Sequence, residues 1–193
     1  MEEKLAQRSS SCIKVVLFGP ESTGKTTLSR QLARHYDTLW VEEYMREYLQ
    51  EKWDKEQLVC QPSDIIPIAR GQMARENELS AKARDVLICD TDLLELKVYS
   101  EAYYEGFCDP LLLKHALNNQ YHVYFLTYID VPWTPDDLRD KPNDREGMFE
   151  KFETALQLYN KPYTVLKGNL QERLETAVSE IDKLIKKHKS EVK

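Results

Sequence analysis

Ile13-Lys14-Val15-Val16-Leu17-Phe18-Gly19-Pro20-Glu21-Ser22-Thr23-Gly24-Lys25-Thr26 carries more structural information than any other stretch of this chain. Its first six residues are a mostly apolar, β-branched run that reads as a buried strand. Gly19 to Thr26 then fits G-x-x-x-x-G-K-[ST] at every fixed position, and Thr27 to Tyr36 is compatible with a helix. Strand, glycine loop and helix in that order form a phosphate-binding unit. A chance match in a turn of small residues is the plain alternative, and the flanking strand and helix argue against it.

Each residue type there has a physical task. The glycines let the backbone turn tightly and bring its N–H groups onto phosphate oxygens, while the helix presents its positive dipole end to the same anion. Gly19, Glu21, Ser22, Thr23, Gly24, Lys25, Thr26 and Thr27 are therefore the expected ATP-binding set. Within it Lys25 reaches the β- and γ-phosphates, and the Thr26 hydroxyl serves Mg²⁺.

Outward from this loop, short β-rich runs alternate with helical segments, the pattern of a parallel α/β sheet covered on both faces. Five strands are predicted, at 13–18, about 38–42, 86–89, 123–127 and 163–166. Helices are predicted near 27–36, 43–52, 64–84, 93–101, 110–118 and 146–159. A last helix is capped by Asn169, with Glu172 as its capping-box partner and Leu170, Leu174, Val178, Ile181 and Ile185 at helical spacing. The fold class expected is a P-loop NTPase, α/β, with a five-stranded parallel sheet and a short lid. Residues 1–12 read as an N-terminal extension, 13–187 as a kinase domain with its lid at about 131–147, and 188–193 as a tail. The basic run Lys186-Lys187-His188-Lys189 reads as a solvated helix end rather than a partner-binding patch.

The length of 193 residues suits one domain, and 41% hydrophobic with 31% charged residues supplies one ordinary core. A net charge of −6 argues against a nucleic-acid or anionic-membrane surface, so an anion site must be built locally. Apolar runs are too short for a membrane span, and the start MEEKLAQRSSS lacks the apolar core of a secretory signal, which places the protein in the cytoplasm. Cys12, Cys60, Cys89 and Cys108 form no C-x-x-C pair and read as reduced packing residues, while His35, His115, His122 and His188 show no zinc-ligand spacing. The partner expected is a small molecule, with self-association into a homo-oligomer left open.

Three further segments carry candidate chemistry. Val86-Leu87-Ile88-Cys89-Asp90-Thr91-Asp92 is an apolar strand ending in acid, where the carboxylate beside a P-loop holds Mg²⁺. Asp90 is the metal candidate, and Asp92, two residues on, is expected to face the same crevice and hold a sugar hydroxyl. Trp40-Val41-Glu42-Glu43-Tyr44-Met45-Arg46-Glu47-Tyr48 places Glu43 as the base that accepts a hydroxyl proton, against the blander reading of a solvated acidic helix start paired with Arg46. In the Pro- and Asp-rich stretch 130–145, Arg139 and Arg145 are the catalytic lid candidates, against a surface loop with exposed ion pairs. Tyr44, Tyr48, Trp53, Tyr99, Tyr103, Tyr104 and Trp133 crowd the acceptor side, where a flat heteroaromatic ring, neutral or cationic, would stack, against the blander reading that most of them are core or helix-packing residues.

Taken together, GPESTGKTTL, VEEYMREYL, CDTDLLELKVYSE and VPWTPDDLRDKPNDR resemble the ribosylnicotinamide kinase family, including the kinase domain of the bacterial NAD-biosynthesis regulator, over about residues 13–185. The resemblance implies 5′-phosphorylation of nicotinamide riboside by ATP in NAD salvage. It places Lys25 and Thr26 on phosphate and Mg²⁺, Glu43 and Arg46 on the acceptor motif, Asp90 and Asp92 on the acidic strand end, and Arg139 on the lid. Asp137 stands where related chains often carry Gly, and the regulator's adenylyltransferase domain is expected to be missing. A kinase for another nucleoside or small alcohol is the first rival. An ATP- or GTP-binding regulator is the second, and it is disfavoured because Asn160-Lys161-Pro162-Tyr163 lacks the Asp of a guanine-reading element.

Overall fold

The apolar run Ile13–Phe18 forms the central strand, β1, with all six residues buried, as a strand covered on both faces demands. On one side it pairs in parallel with β3 (Val86–Asp90), which pairs in turn with the short β2 (Trp40–Val41). On the other side it pairs with β4 (Val123–Thr127), which carries β5 (Tyr163–Leu166) at the edge. The computed structural model describes residues 5–133 and 144–191. The sheet order β2-β3-β1-β4-β5 bears out the fold class expected from the sequence.

Successive residues of β1 serve opposite layers. Ile13, Val15 and Leu17 pack with Leu28 and Leu32 of α1 (Lys25–His35) and with Ala177 and Ile181 of α7 (Leu170–Glu191). Val16 and Phe18 face the other layer, built from α3 (Ile65–Ser80), α4 (Leu93–Tyr103), α5 (Pro110–Asn118) and α6 (Arg145–Leu158). Phe18, fully buried, meets Tyr124 and Phe152 edge-on at 5.4 and 4.9 Å. That anchor lies one residue before Gly19, so the core fixes where the glycine loop begins. Leu5 is also buried, and Asn77 Nδ2 donates to the Ala6 carbonyl at 2.9 Å.

Boundaries shift where a local bond competes. The strand expected at 38–42 shrinks to Trp40–Val41 while the Thr38 hydroxyl donates to the Val86 carbonyl at 2.6 Å. α2 (Tyr44–Glu56) runs past 52 until Gln57 turns left-handed at φ 55°. The helix expected from 64 begins as a 3-10 turn, Pro62–Asp64, before α3, and Pro67 falls in the first turn of α3, where a missing amide costs nothing. The capping box on α7 forms as expected, with Asn169 Oδ1 accepting from Gln171 N and Glu172 N, and Glu172 Oε2 from Asn169 N. Among the described residues no helix is long and apolar enough to cross a membrane.

Candidate active site

At the carboxyl ends of β1 and β3 the glycine loop curls back on itself. Gly19 has φ 136°, and a Cβ there would meet Thr127 Oγ1 at 2.8 Å and its carbonyl at 3.0 Å, so only glycine allows this approach to β4. Gly24 caps α1 in the left-handed region at φ 85°. Several loop carbonyls are held by donors: Lys25 Nζ reaches Gly19 O at 2.7 Å and Pro20 O at 3.0 Å, and Arg145 Nη2 reaches Ser22 O at 3.3 Å. The Thr23 hydroxyl bridges Pro20 O and Thr127 Oγ1, each at 2.7 Å. With these carbonyls occupied by donors, the loop amides beyond Gly19 can serve an incoming anion.

Beside the loop sits an unusual concentration of acid. Lys25 pairs with Glu95 Oε1 at 3.1 Å, and Glu95 Oε2 accepts from Gly19 N at 3.2 Å. Burial alone would lower the Lys25 ammonium, but Glu95, Glu43 and Asp90 outweigh it and hold it above its usual value. Burial pushes the Glu95 carboxyl well above the carboxylate range, against the pull of Lys25. Asp90 is 1% exposed, and neither of its oxygens has a hydrogen bond of ordinary geometry. Burial, reinforced by Glu43, lifts it to about 7, with the Thr26 hydroxyl, Lys25 and Arg30 opposing. A buried carboxylate kept without a partner next to a threonine hydroxyl is the hard-oxygen donor set that Mg²⁺ uses when phosphates and water complete its shell.

Asp92 corrects the sequence expectation. Thr91 takes φ 74°, which breaks the strand alternation that would have put Asp90 and Asp92 on one side. Asp92 instead caps α4, accepting from Glu95 N at 3.0 Å, while its other oxygen accepts from the Tyr124 hydroxyl at 2.8 Å inside the core. Both oxygens are thus committed to structure, and Asp92 does not line the crevice. Burial raises it to about 6.

A cavity of about 560 Å³ opens from the loop toward the turn after α2. Glu21 to Thr27 line its floor, as the expected ATP-binding set requires for all but Gly19, which lies beneath. Glu43 and Arg46 line its wall, so two of the acceptor candidates fall together with Lys25. Glu43 stands at the N-cap of α2 but makes no side-chain cap bond, and Glu47 pairs with Arg75. The rest of the lining is aromatic and aliphatic, with Trp53, Tyr99, Tyr103 and Tyr104 together with Met45, Leu49 and Leu58.

Tyr44 is a second correction. Its ring lies against Gly71, where any Cβ would come within 2.0 Å of Tyr44 Cε1, and Arg75 stacks over it at 4.7 Å. It packs α2 on α3 and does not line the cavity. Trp133 stands on the other side of Glu21, with Tyr103 and Arg145, whose guanidinium lies 5.8 Å from its ring. Arg145 also donates to the Val131 carbonyl at 2.9 Å, so one lid arginine is tied both to the loop after β4 and to the glycine loop. Arg139 and Asp137 lie outside the described residues. Sequence reasoning missed Glu95 and Arg30, as well as the stretch 58–60 at the cavity mouth. Only the position of Glu95, one helical turn after the acidic strand end, hinted at its role.

Comparison with known proteins agrees with this architecture. Residues 14–173 match the family described as AAA domain. The trifunctional NAD biosynthesis/regulator protein NadR of Escherichia coli K12 is 29% identical over 125 residues, 65% of this chain and 30% of that relative, so the chain spans under a third of the curated relative's length. A crystal structure of a NadR protein in complex with NR superposes with a TM-score of 0.73 at 24% identity, covering 89% of this chain and 51% of the other. A deoxyadenosine kinase from M. mycoides superposes at 0.62 with 15% identity over 89% of this chain and 100% of its own. The similarity to NadR bears out the resemblance drawn from the sequence, and the superpositions place the fold among P-loop kinases.

Proposed function

We propose that this protein, which belongs to the AAA domain family, transfers the γ-phosphoryl group of ATP to the 5′-hydroxyl of nicotinamide riboside, giving nicotinamide mononucleotide. The observation that carries the reading is one continuous cavity lined by Lys25 and the loop residues Glu21 to Thr27, by Glu43, and by the rings of Trp53, Tyr99, Tyr103 and Tyr104. Similarity to NadR, one relative of which was solved with NR, supports the choice of acceptor.

In this reading the loop amides and Lys25 grip the triphosphate and neutralise charge growing on the transferring group. Glu43 accepts the proton of the acceptor hydroxyl and orients its oxygen in line with the γ-phosphorus. Thr26 and Asp90 would hold Mg²⁺, which when bound screens the β- and γ-phosphate oxygens. Arg145, with Arg139 on the same lid, closes from the loop after β4 and excludes water. Arg46 and the rings of Trp53, Tyr99 and Tyr103 form the wall against which the nicotinamide ring lies. The protein acts in the cytoplasm on a small molecule, with neither nucleic acid nor membrane as a partner.

The test is incubation with ATP, Mg²⁺ and nicotinamide riboside, with mass detection of a product heavier by one phosphoryl group, alongside a panel of deoxynucleosides and other small alcohols. Phosphorylation of nicotinamide riboside ahead of the panel is expected. A strong preference for a pyrimidine deoxynucleoside would overturn the acceptor assignment and leave the kinase reading in place.

A further inference from the structure

Below the glycine loop, on the side away from the cavity, lies a buried cation that the proposed reaction does not use. Arg173, in the first turn of α7, is 2% exposed. Its Nη1 donates to the Thr23 carbonyl at 2.7 Å, its Nε to Gly168 O at 2.9 Å and its Nη2 to Tyr128 O at 2.9 Å. Nη2 also pairs with Asp130, whose second carboxylate oxygen accepts from Gly168 N at 2.7 Å. One planar fork thus gathers three carbonyls from the glycine loop, the end of β4 and the turn after β5.

We propose that Arg173 is a positioning residue for the triphosphate: by holding the Thr23 carbonyl it sets the direction of the Gly24 amide. The proposal rests on the nucleotide-binding reading above. The argument is one of peptide geometry. In a planar trans peptide the C=O and the following N–H point in opposite directions, so a carbonyl pinned toward α7 turns the Gly24 N–H away from it. Gly24 is the loop residue best able to escape such an orientation, since it sits at φ 85° with nothing within 4 Å of where a Cβ would be. Arg145 has the equivalent hold on Ser22 O, and Lys25 on Gly19 O and Pro20 O. Arg173 supplies the corresponding clamp on the Thr23–Gly24 peptide.

The blander role is to dock α7 on the sheet. Ala177 and Ile181 already do so, both fully buried against β1 and α1. A helix docked by aliphatic packing does not need a buried guanidinium, which is costly to desolvate and is retained where its donors are all directed.

The test compares the 193-residue chain with Arg173→Lys and Asp130→Asn by calorimetric titration with ATP·Mg²⁺ and, separately, with inorganic tripolyphosphate, a probe lacking base and sugar. A lysine keeps the charge but cannot span three carbonyls. Arg173→Lys is expected to weaken both ligands on the order of tenfold, and Asp130→Asn about threefold, as expected for losing one or part of one charge-assisted hydrogen bond. The KM for nicotinamide riboside should stay within about twofold of wild type, because uniform binding of the acceptor is untouched. A purely structural role would lower the melting temperature and leave both affinities of the folded protein at the wild-type level, and that result overturns the proposal. If Arg173→Lys does not fold, Asp130→Asn decides by the same criterion. A wild-type protein that takes up neither probe removes the nucleotide-binding reading itself, and the proposal with it.

Discussion

The two ends of the cavity are built on different principles. The phosphate end is one contiguous segment, Gly19 to Thr27, whose carbonyls are held by nearby cations and whose entry is anchored by a fully buried Phe18. The acceptor end is assembled from α2, the turn at 58–60, the start of α3 and one face of α4. Leu58 and Val59 at its mouth remain 44% and 70% exposed. A site made of backbone geometry tolerates little variation, whereas one made of side chains from four segments can be rebuilt without disturbing the fold. In the proposed reaction, grip on the triphosphate and choice of acceptor should therefore be separable, with variants affecting one without the other.

The largest effect should come from the phosphate end. Lys25→Ala removes the cation that three acids hold charged, and turnover should fall by about 10³-fold or more together with ATP affinity, since transition-state charge loses its partner. An unaltered rate would break the comparison at its root. Next comes the acid on the cavity wall. Glu43→Gln should lower kcat on the order of 10²-fold with ATP binding within about twofold of wild type, the signature of a lost base. Equal losses in rate and in ATP affinity would instead assign Glu43 to the phosphate end. Smaller again, Trp53→Ala should raise the acceptor KM on the order of tenfold and leave the KM for ATP alone, as a lost stacking surface does. A change in both constants would mean that the ends are coupled.

The same contrast explains what could be read from the sequence. The phosphate end follows from a fixed spacing over eight residues between a β-branched run and a helix, and β1, β4 and β5 fall within their expected limits. Information there is local. At the acceptor end Trp53, Tyr99, Tyr103 and Tyr104 were visible as aromatic residues, but which of the crowd face a cavity depends on tertiary packing. Gly71 draws the Tyr44 ring into the contact between α2 and α3, and no pattern near Tyr44 encodes that. Asp92 was misplaced because a strand was extrapolated by two residues, while Thr91 enters the left-handed region and turns the chain. Glu95 and Arg173 were unread because their partners lie 76 and 150 residues away in Gly19 and Thr23.

Asp90 and Asp92 sharpen the comparison at its smallest scale, two acids two residues apart with opposite fates. Asp92 is satisfied by a helix amide and a phenol, whereas Asp90 is buried without a hydrogen bond of ordinary geometry. The Asp90 carboxyl moves up from 3.8 to about 7 in the folded protein, so between about 4 and about 7 the native state binds a proton that the unfolded chain has released. Stability from this group is therefore complete below about pH 4 and is lost as pH rises through about 7. Asp92, raised to about 6, contributes in the same direction over the lower part of that window. Asp90→Asn cannot ionise. In the absence of nucleotide it should be more stable than wild type at pH 8 by about 2 kcal/mol, a rise of several degrees in Tm for a chain of this size, with little difference at pH 4. The two melting curves should therefore diverge between about pH 4 and 7, where wild-type Asp90 holds a proton that the unfolded chain has released. The same variant should lose most of its kinase activity if Asp90 holds the metal, a gain in stability at the expense of function. Thermal melts of both proteins from pH 4 to 8, without nucleotide, decide the point. Parallel curves would mean that Asp90 carries no uncompensated charge in the folded protein, and the strongest physical argument for a metal there would be gone.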